Sequence, residues 1–308
     1  MHLFPLKPIK IYRQLKNRFG LFSYEYAGSS DFSYLKRKIN LYYTLFPKRK
    51  QEFKAEIDFL NKHSVKSQSV SLVWLYPFVK AYDPKKIEVF KDAANGLFYV
   101  MQQGKRLYFS RNYSTVEAVQ KSYNSLFIEQ DPASPHLYLK EGFQVNDGDF
   151  VVDIGAAEGN FSLDIVEKAG KIVIIEAEAH WIEALKATFE PWKDKVEIIH
   201  KYLSDTDNER CATLKSIVGE TPIDFLKLDV EGAEMSILKS SADLLSRKQI
   251  RKLAVCTYHK KNDERDFSRL LKEYGYDISQ TLGFMLFVYG KLAPPFFRKV
   301  LLQAVARS

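Results

Sequence analysis

The 308-residue chain is long enough for one catalytic-size domain plus an appended piece. With 46% hydrophobic and 27% charged residues its composition is that of an ordinary water-soluble globular protein, and no apolar run approaches the roughly 18 residues a membrane span needs. Two cysteines, Cys211 and Cys256, exclude a disulfide framework or a cysteine metal cluster, and the basic N-terminus lacks the apolar core of a secretory signal, so a cytoplasmic protein with reduced thiols is expected.

The net charge of +8 is concentrated at one end. Met1 to Leu60 holds 12 Lys or Arg against 5 Asp or Glu. Basic residues interleaved with Tyr and Phe in "YLKRKINLYYTLFPKRK" fit an anionic membrane face or an acidic glycan, and an ordinary solvated helix surface has the same pattern. No nucleic-acid-binding motif accompanies the charge, and no nucleic-acid partner is expected.

In chain order, residues to about Lys80 read as helical, with apolar positions Ile39, Tyr42, Tyr43, Phe46, then Phe53, Ile57 and Leu60. Next, "IEVFKDAANGLFYVMQQGKRLYFS" alternates apolar and polar residues around the turns Asn95-Gly96 and Gln103-Gly104, which predicts an antiparallel meander. A helix is predicted from about Thr115 to Phe127, and the prolines of "EQDPASPHLY" make a loop after it. From Asp149 strands alternate with amphipathic helices: "FVVDI", "KIVIIEA", "KVEIIHKYL", "IDFLKLD" and "KLAVCTY", with "YDISQTLGFMLFVYG" as a closing pair of strands joined by a short turn. The expected fold is α/β, a doubly wound, mostly parallel seven-stranded sheet with an antiparallel terminal hairpin. The expected division is a basic, mainly helical extension over 1–85, a meander plus helix over 86–148, and the catalytic domain over 149–308.

In such a sheet the ligand lies beyond the carboxyl ends of the strands, where the first strand hands over to its helix. That handover is "DIGAAEGNF". Small residues at Gly155, Ala156, Ala157 and Gly159 give a ligand room against the backbone, and a branched side chain at Gly155 is predicted to abolish cofactor binding while the fold persists. Glu176 closes the second strand about 20 residues later, placed for the hydroxyls of a ribose. A dinucleotide fingerprint from Gly155 needs glycines where Ala157 and Asn160 stand, so a nicotinamide cofactor is the poorer match. Asp229 and Glu231 end the fourth strand, where lone buried carboxylates are costly, so they are expected to face a polar cleft. Glu234 reads as an acid complementing a helix dipole. His259 closes the fifth strand after Tyr258 and is a candidate general base. His63, His180 and His200 match no metal-ligand spacing, and no metal is expected.

The spacing Asp153, Gly155, Ala157, Gly159 resembles motif I of class I S-adenosylmethionine-dependent methyltransferases. The longer stretch "IDFLKLDVEGAEMSIL", with "VVDIGAAEG", "LSDTDN" and "CTYHKKND", resembles the signature of the FkbM family of methyltransferases over about Asp149 to Tyr289. One departure is "EAEAH", where Glu-Pro is common in the family. The resemblance implies S-adenosylmethionine as cofactor, held by Asp153, Gly155, Ala156, Ala157, Gly159, Asn160, Phe161, Glu176, Ala177, Ser204, Asp205 and Asp229. It implies O-methylation; from their positions His259, assisted by Asp229 or Glu231, is the expected base, and His136, Tyr138 and Tyr258 are expected to contact the acceptor. The basic, aromatic N-terminal segment favours a saccharide or glycan precursor as acceptor. A polyketide-like acceptor, a nicotinamide-dependent oxidoreductase and a non-catalytic binding module are the alternatives.

Overall fold

A computed structural model describes residues 24–25, 32–63, 72–288 and 291–307. The first 23 residues, on which the signal-sequence expectation rests, lie outside the described residues. The chain divides into two compact units, Met1–Val79 with Phe284–Arg298, and Lys80–Gly283 with Lys299–Ser308.

In the first unit, helices α1 (Phe32–Leu45) and α2 (Lys54–Lys62) flank a short helical turn at Pro47–Lys50. Pro47 has no amide hydrogen to continue α1, so the helix stops there. The predicted apolar positions Ile39, Tyr42, Tyr43, Phe53, Ile57 and Leu60 are buried together with Leu35, Leu286, Phe296 and Phe297, and Phe46 packs half-buried against them. The helical reading to Lys80 fails at Leu72–Val73, which pairs antiparallel with Met285–Phe287, itself paired with Phe297–Arg298.

The second unit begins with the predicted meander, strands β1 (Phe90–Lys91), β2 (Phe98–Gln102) and β3 (Lys105–Tyr108). Gln103 and Gly104 both take positive φ, +50° and +79°, as a two-residue hairpin turn requires. Helix α3 (Val116–Glu129) is capped by the Thr115 side chain, which accepts from the Ala118 amide.

The main sheet contains β4 (Phe150–Ile154), β5 (Lys171–Glu176), β6 (Val196–His200), β7 (Ile223–Leu228), β8 (Ile250–Cys256), β9 (Tyr276–Gln280) and β10 (Leu301–Ala306). Their order is β9-β10-β8-β7-β4-β5-β6, with β10 running opposite to the other six. The central strands are buried on both faces, which is why β4 and β7 read as nearly unbroken apolar runs. Between them run α4 (Asn160–Ile165), α5 (Ala179–Phe189), α6 (Glu234–Ser240) and α7 (Asp263–Glu273).

The seven-stranded fold stands as read, but the closing hairpin does not. "YDISQTLGFMLFVYG" does contain two strands, yet β9 lies in the main sheet and Met285–Phe287 in the first unit. The antiparallel partner of β9 is β10, reached after the chain has visited the first unit. Period-two alternation marks a strand without naming its partner.

Candidate active site

The site begins with register. Asp153 lies opposite Lys227 and Ile154 opposite Leu228 in the β4–β7 pairing, so the two strands end level and Gly155 emerges beside Asp229. Asp153 and Lys227 are both buried, and the ammonium donates to the Asp153 carboxylate and to the Gly155 carbonyl, each at 2.8 Å. The Ser162 hydroxyl donates to the other Asp153 oxygen at 2.7 Å. Burial alone lowers an ammonium pKa, but the Asp153 and Asp229 charges outweigh it and hold Lys227 protonated above its ordinary value.

The turn after β4 runs through positive φ at Gly155 (+75°), Ala157 (+47°) and Gly159 (+81°). Ala157 donates its amide to Glu176 Oε2 at 2.8 Å, and Glu178 donates its amide to Oε1 at 2.7 Å. Glu176 therefore ties the turns after β4 and β5 together. The next turn is joined to them, since His200 Nε2 lies 3.0 Å from the Ala177 carbonyl and the Tyr202 hydroxyl reaches Glu178 at 3.3 Å. Ser204 and Asp205 follow, with the Ser204 hydroxyl 3.2 Å from Asp205 Oδ1.

Across the same sheet edge, the Asp229 carboxylate is ringed by hydrogen-bonding groups. The Tyr138 hydroxyl donates to Oδ2 at 2.9 Å and the Tyr258 hydroxyl to Oδ1 at 3.2 Å. His259 Nε2 lies 3.5 Å from Oδ1 and His136 Nε2 lies 4.0 Å from Oδ2. Burial drives the Asp229 carboxyl upward, but His259, Lys227, His136 and the Tyr138 hydroxyl outweigh it and hold it below the usual carboxylate range. Burial and the Asp229 charge push both tyrosines well above their ordinary value, so they remain donors. Burial holds the His136 imidazole down at about 4, uncharged at neutral pH.

His259 is gripped from its other side. Its Nδ1 lies 2.8 Å from Glu234 Oε1, which also accepts the Val230 and Gly232 amides at 3.1 and 3.2 Å. Burial works to lower the His259 pKa, and the Glu234 hydrogen bond and the Asp229 charge raise it past the ordinary imidazole value.

The methyltransferase FkbM domain model matches residues 107–278, more than half of the chain. The chain belongs to the FkbM methyltransferase family. The match begins earlier than the motifs alone indicate, inside the meander. No curated protein sequence matches the chain. Among solved structures, methyltransferase FkbM from Methylobacillus flagellatus KT is 18% identical over 64% of this chain, with a TM-score of 0.42. The chain spans 56% of that protein. Precorrin-6y C5,15-methyltransferase from Geobacter metallireducens GS-15 is 10% identical, with 53% and 82% of the two chains covered and a TM-score of 0.37. TrmK from M. capricolum, in complex with S-adenosyl-homocysteine, is 13% identical, with 53% and 65% covered and a TM-score of 0.38.

In this FkbM-family chain the residues selected from sequence gather at one sheet edge, with several corrections. Asp153 is turned beneath the loop into its ion pair, so its carboxylate is spent on the protein. Phe161 is buried and stacked on Phe225, a core contact. Asn160 opens α4 and accepts the Gln102 side-chain amide through its carbonyl at 2.9 Å. Ala156 is buried, while Ala157 and Ala177 are half-exposed. Glu231 is exposed with φ +51°. The acid that holds His259 is Glu234, which the sequence presents as an ordinary first-turn acid of α6. The sequence also hides Glu129 at the end of α3, whose carboxyl is pushed up to about 8 by burial and by the Asp229 and Glu158 charges.

Gly155 is also required by the packing of the protein on itself. A Cβ there meets the Asp229 carbonyl oxygen at 1.9 Å, and one at Gly159 meets Leu185 Cδ2 at 2.7 Å. Both glycines allow close packing of the protein on itself. Gly155→Val is therefore expected to lower the melting temperature sharply or leave the protein insoluble, because overlap with backbone adds to a strained φ that costs about 1–3 kcal/mol. A soluble variant with wild-type melting temperature refutes this.

Ligand-type atoms of His136, Asp229 and Cys256, and of Asp229, Glu234 and His259, lie within 4.8 Å of one another, close enough for a cation to bridge. In the present arrangement they serve one another and their neighbours: Gln130 Nε2 lies 3.4 Å from His136 Nδ1, and Cys256 Sγ lies 3.7 Å from His136 Nε2. Neither group shows a metal-ligand spacing in the sequence, because each draws members from separate strand ends and loops far apart along the chain.

Proposed function

We propose that the protein transfers the methyl group of S-adenosylmethionine to a hydroxyl of a saccharide or glycan precursor, in the cytoplasm. The donor set fits this cofactor. A carboxylate has about four acceptor positions, and the two amides on Glu176 use one on each oxygen, which leaves one on each for the ribose hydroxyls. When bound, the cofactor supplies an already activated sulfonium methyl. The residues of the chain then have two tasks, holding the acceptor oxygen in line and removing its proton. Tyr138 and Tyr258 fix Asp229, Asp229 orients the acceptor, and His259 Nε2 takes the hydroxyl proton while Glu234 holds Nδ1.

The observation that carries this reading is the histidine held between Glu234 at 2.8 Å and Asp229 at 3.5 Å on the sheet edge that also carries Glu176. A saccharide acceptor is supported by the basic, aromatic N-terminal segment, and a polyketide-like hydroxyl is the second reading. Calorimetry with S-adenosylhomocysteine and with NAD tests the cofactor: binding of the first and not the second is expected. Transfer of labelled methyl to saccharide and to polyketide-like acceptors separates the two acceptor classes.

Glu176→Ala is expected to weaken S-adenosylhomocysteine binding by about 2–3 kcal/mol, because charge-assisted hydrogen bonds to the ribose are lost. Glu176→Gln keeps the shape and should fall between. Unchanged affinity of Glu176→Ala in calorimetry refutes the ribose assignment.

A further inference from the structure

The inner face of α1 explains only half of that helix. Its outer face exposes Tyr34 (47%), Leu41 (53%) and Leu45 (58%). These positions are seven and eleven residues apart, so at about 100° per residue they recur within about 20° of one line along the helix. Arg37 and Lys38 flank that line, and Lys48, Arg49 and Lys50 extend it, all three exposed. From Tyr34 to Gln51 the sequence has six Lys or Arg and no Asp or Glu.

Several of these cations reach neighbouring groups, and Lys50 is close enough to the Asp58 carboxylate to act on it. Lys36 Nζ donates to the Asn61 carbonyl at 3.3 Å, Arg37 Nε to the Ser33 carbonyl at 3.4 Å, and Arg49 Nη1 to the Tyr42 hydroxyl at 3.4 Å. Lys38 lies over the Tyr34 ring, 5.0 Å from its centre. Lys48, Arg49 and Lys50 are exposed, so their charge stands at the surface.

We infer that this face of α1 and the Pro47–Lys50 turn docks on an anionic bilayer surface, with Leu41, Leu45 and Tyr34 entering the headgroup boundary and the cations meeting lipid phosphates. Charge alone serves any polyanion. Apolar side chains at the centre of a basic field add what a bilayer interface rewards, burial of apolar surface beside electrostatic attraction. No described helix is long and apolar enough to cross a membrane, so contact of this kind is at the surface. The inference is independent of the methyl-transfer reading, because it concerns where the first unit binds and not what the site does.

The test is co-sedimentation of the full chain with vesicles of phosphatidylglycerol and phosphatidylcholine, beside vesicles of phosphatidylcholine alone. Binding to the anionic vesicles only, weakened by salt, is expected. Leu41→Ser with Leu45→Ser should lower partitioning about tenfold or more, and replacing Lys48, Arg49 and Lys50 by Ser should lower it roughly 100-fold. Tyr34→Trp keeps an aromatic ring on this face and should give an added indole signal quenched by brominated lipid in anionic vesicles. Equal binding to both vesicle types overturns the inference. Binding indifferent to the leucine substitutions, with no quenching of the added indole and equal affinity for dextran sulfate, overturns it in favour of a general polyanion surface.

Discussion

Lys227→Met is expected to cost about 3–5 kcal/mol of folding stability, because it leaves the fully buried Asp153 carboxylate without its cation. An unpaired charge in that position has Ser162 as its remaining described side-chain donor. The Gly155 carbonyl loses its ammonium donor at the same time, so the turn that carries Ala157 towards Glu176 should loosen. Adding Asp153→Asn removes the stranded charge and should recover a large part of the loss, since the penalty comes from the partner left behind. Chemical denaturation at neutral pH gives the energies, and calorimetry with S-adenosylhomocysteine reports the turn. A single variant within about 1 kcal/mol of wild type, or a double variant worse than the sum of the singles, shows that the ion pair is not what holds this loop.

The sequence exposed the parts of this fold that follow from local pattern. Alternating strands and helices from Asp149, the meander turns and the helix that follows Thr115 all stand in the structure, because apolar periodicity and turn chemistry act within a few residues. What it concealed depends on partners far along the chain. Lys227 interrupts the run "IDFLKLD", and nothing in the sequence gives it a role until register sets it opposite Asp153. Glu234 has the sequence position of a dipole-compensating acid, and only its burial against His259 gives it another use. The two strands in "YDISQTLGFMLFVYG" look alike in sequence, and nothing local assigns one to the main sheet and the other to the first unit. Motif residues showed a related effect: Gly155 and Asp153 were found by spacing, while a further reason each is needed lies in its contact with β7 and its end.

His259→Ala should keep S-adenosylhomocysteine affinity within a few-fold and lose roughly 100-fold or more in methyl transfer, the size expected for removing a general base. Glu234 acts through His259 as a positioning residue, and its removal has a different signature. A base works when deprotonated, so the rate of the wild type should rise with pH through the His259 pKa, which lies above the ordinary value of about 6.5. Glu234→Gln removes the carboxylate hydrogen bond that does most to raise that pKa, so the rising limb should move to lower pH while the maximum rate falls. Stability supplies a readout that does not need the acceptor. A histidine whose folded pKa is raised contributes stability that is fully present below its unfolded pKa and is lost as pH rises through the folded one. Glu234→Gln should therefore cost more stability near pH 6 than near pH 9, and a purely structural glutamate would give no such slope. Single-turnover methylation with varied pH is the companion measurement. If His259→Ala transfers methyl at the wild-type rate between about pH 6 and 9, the hydroxyl proton leaves by another route, and Asp229 becomes the first residue to test.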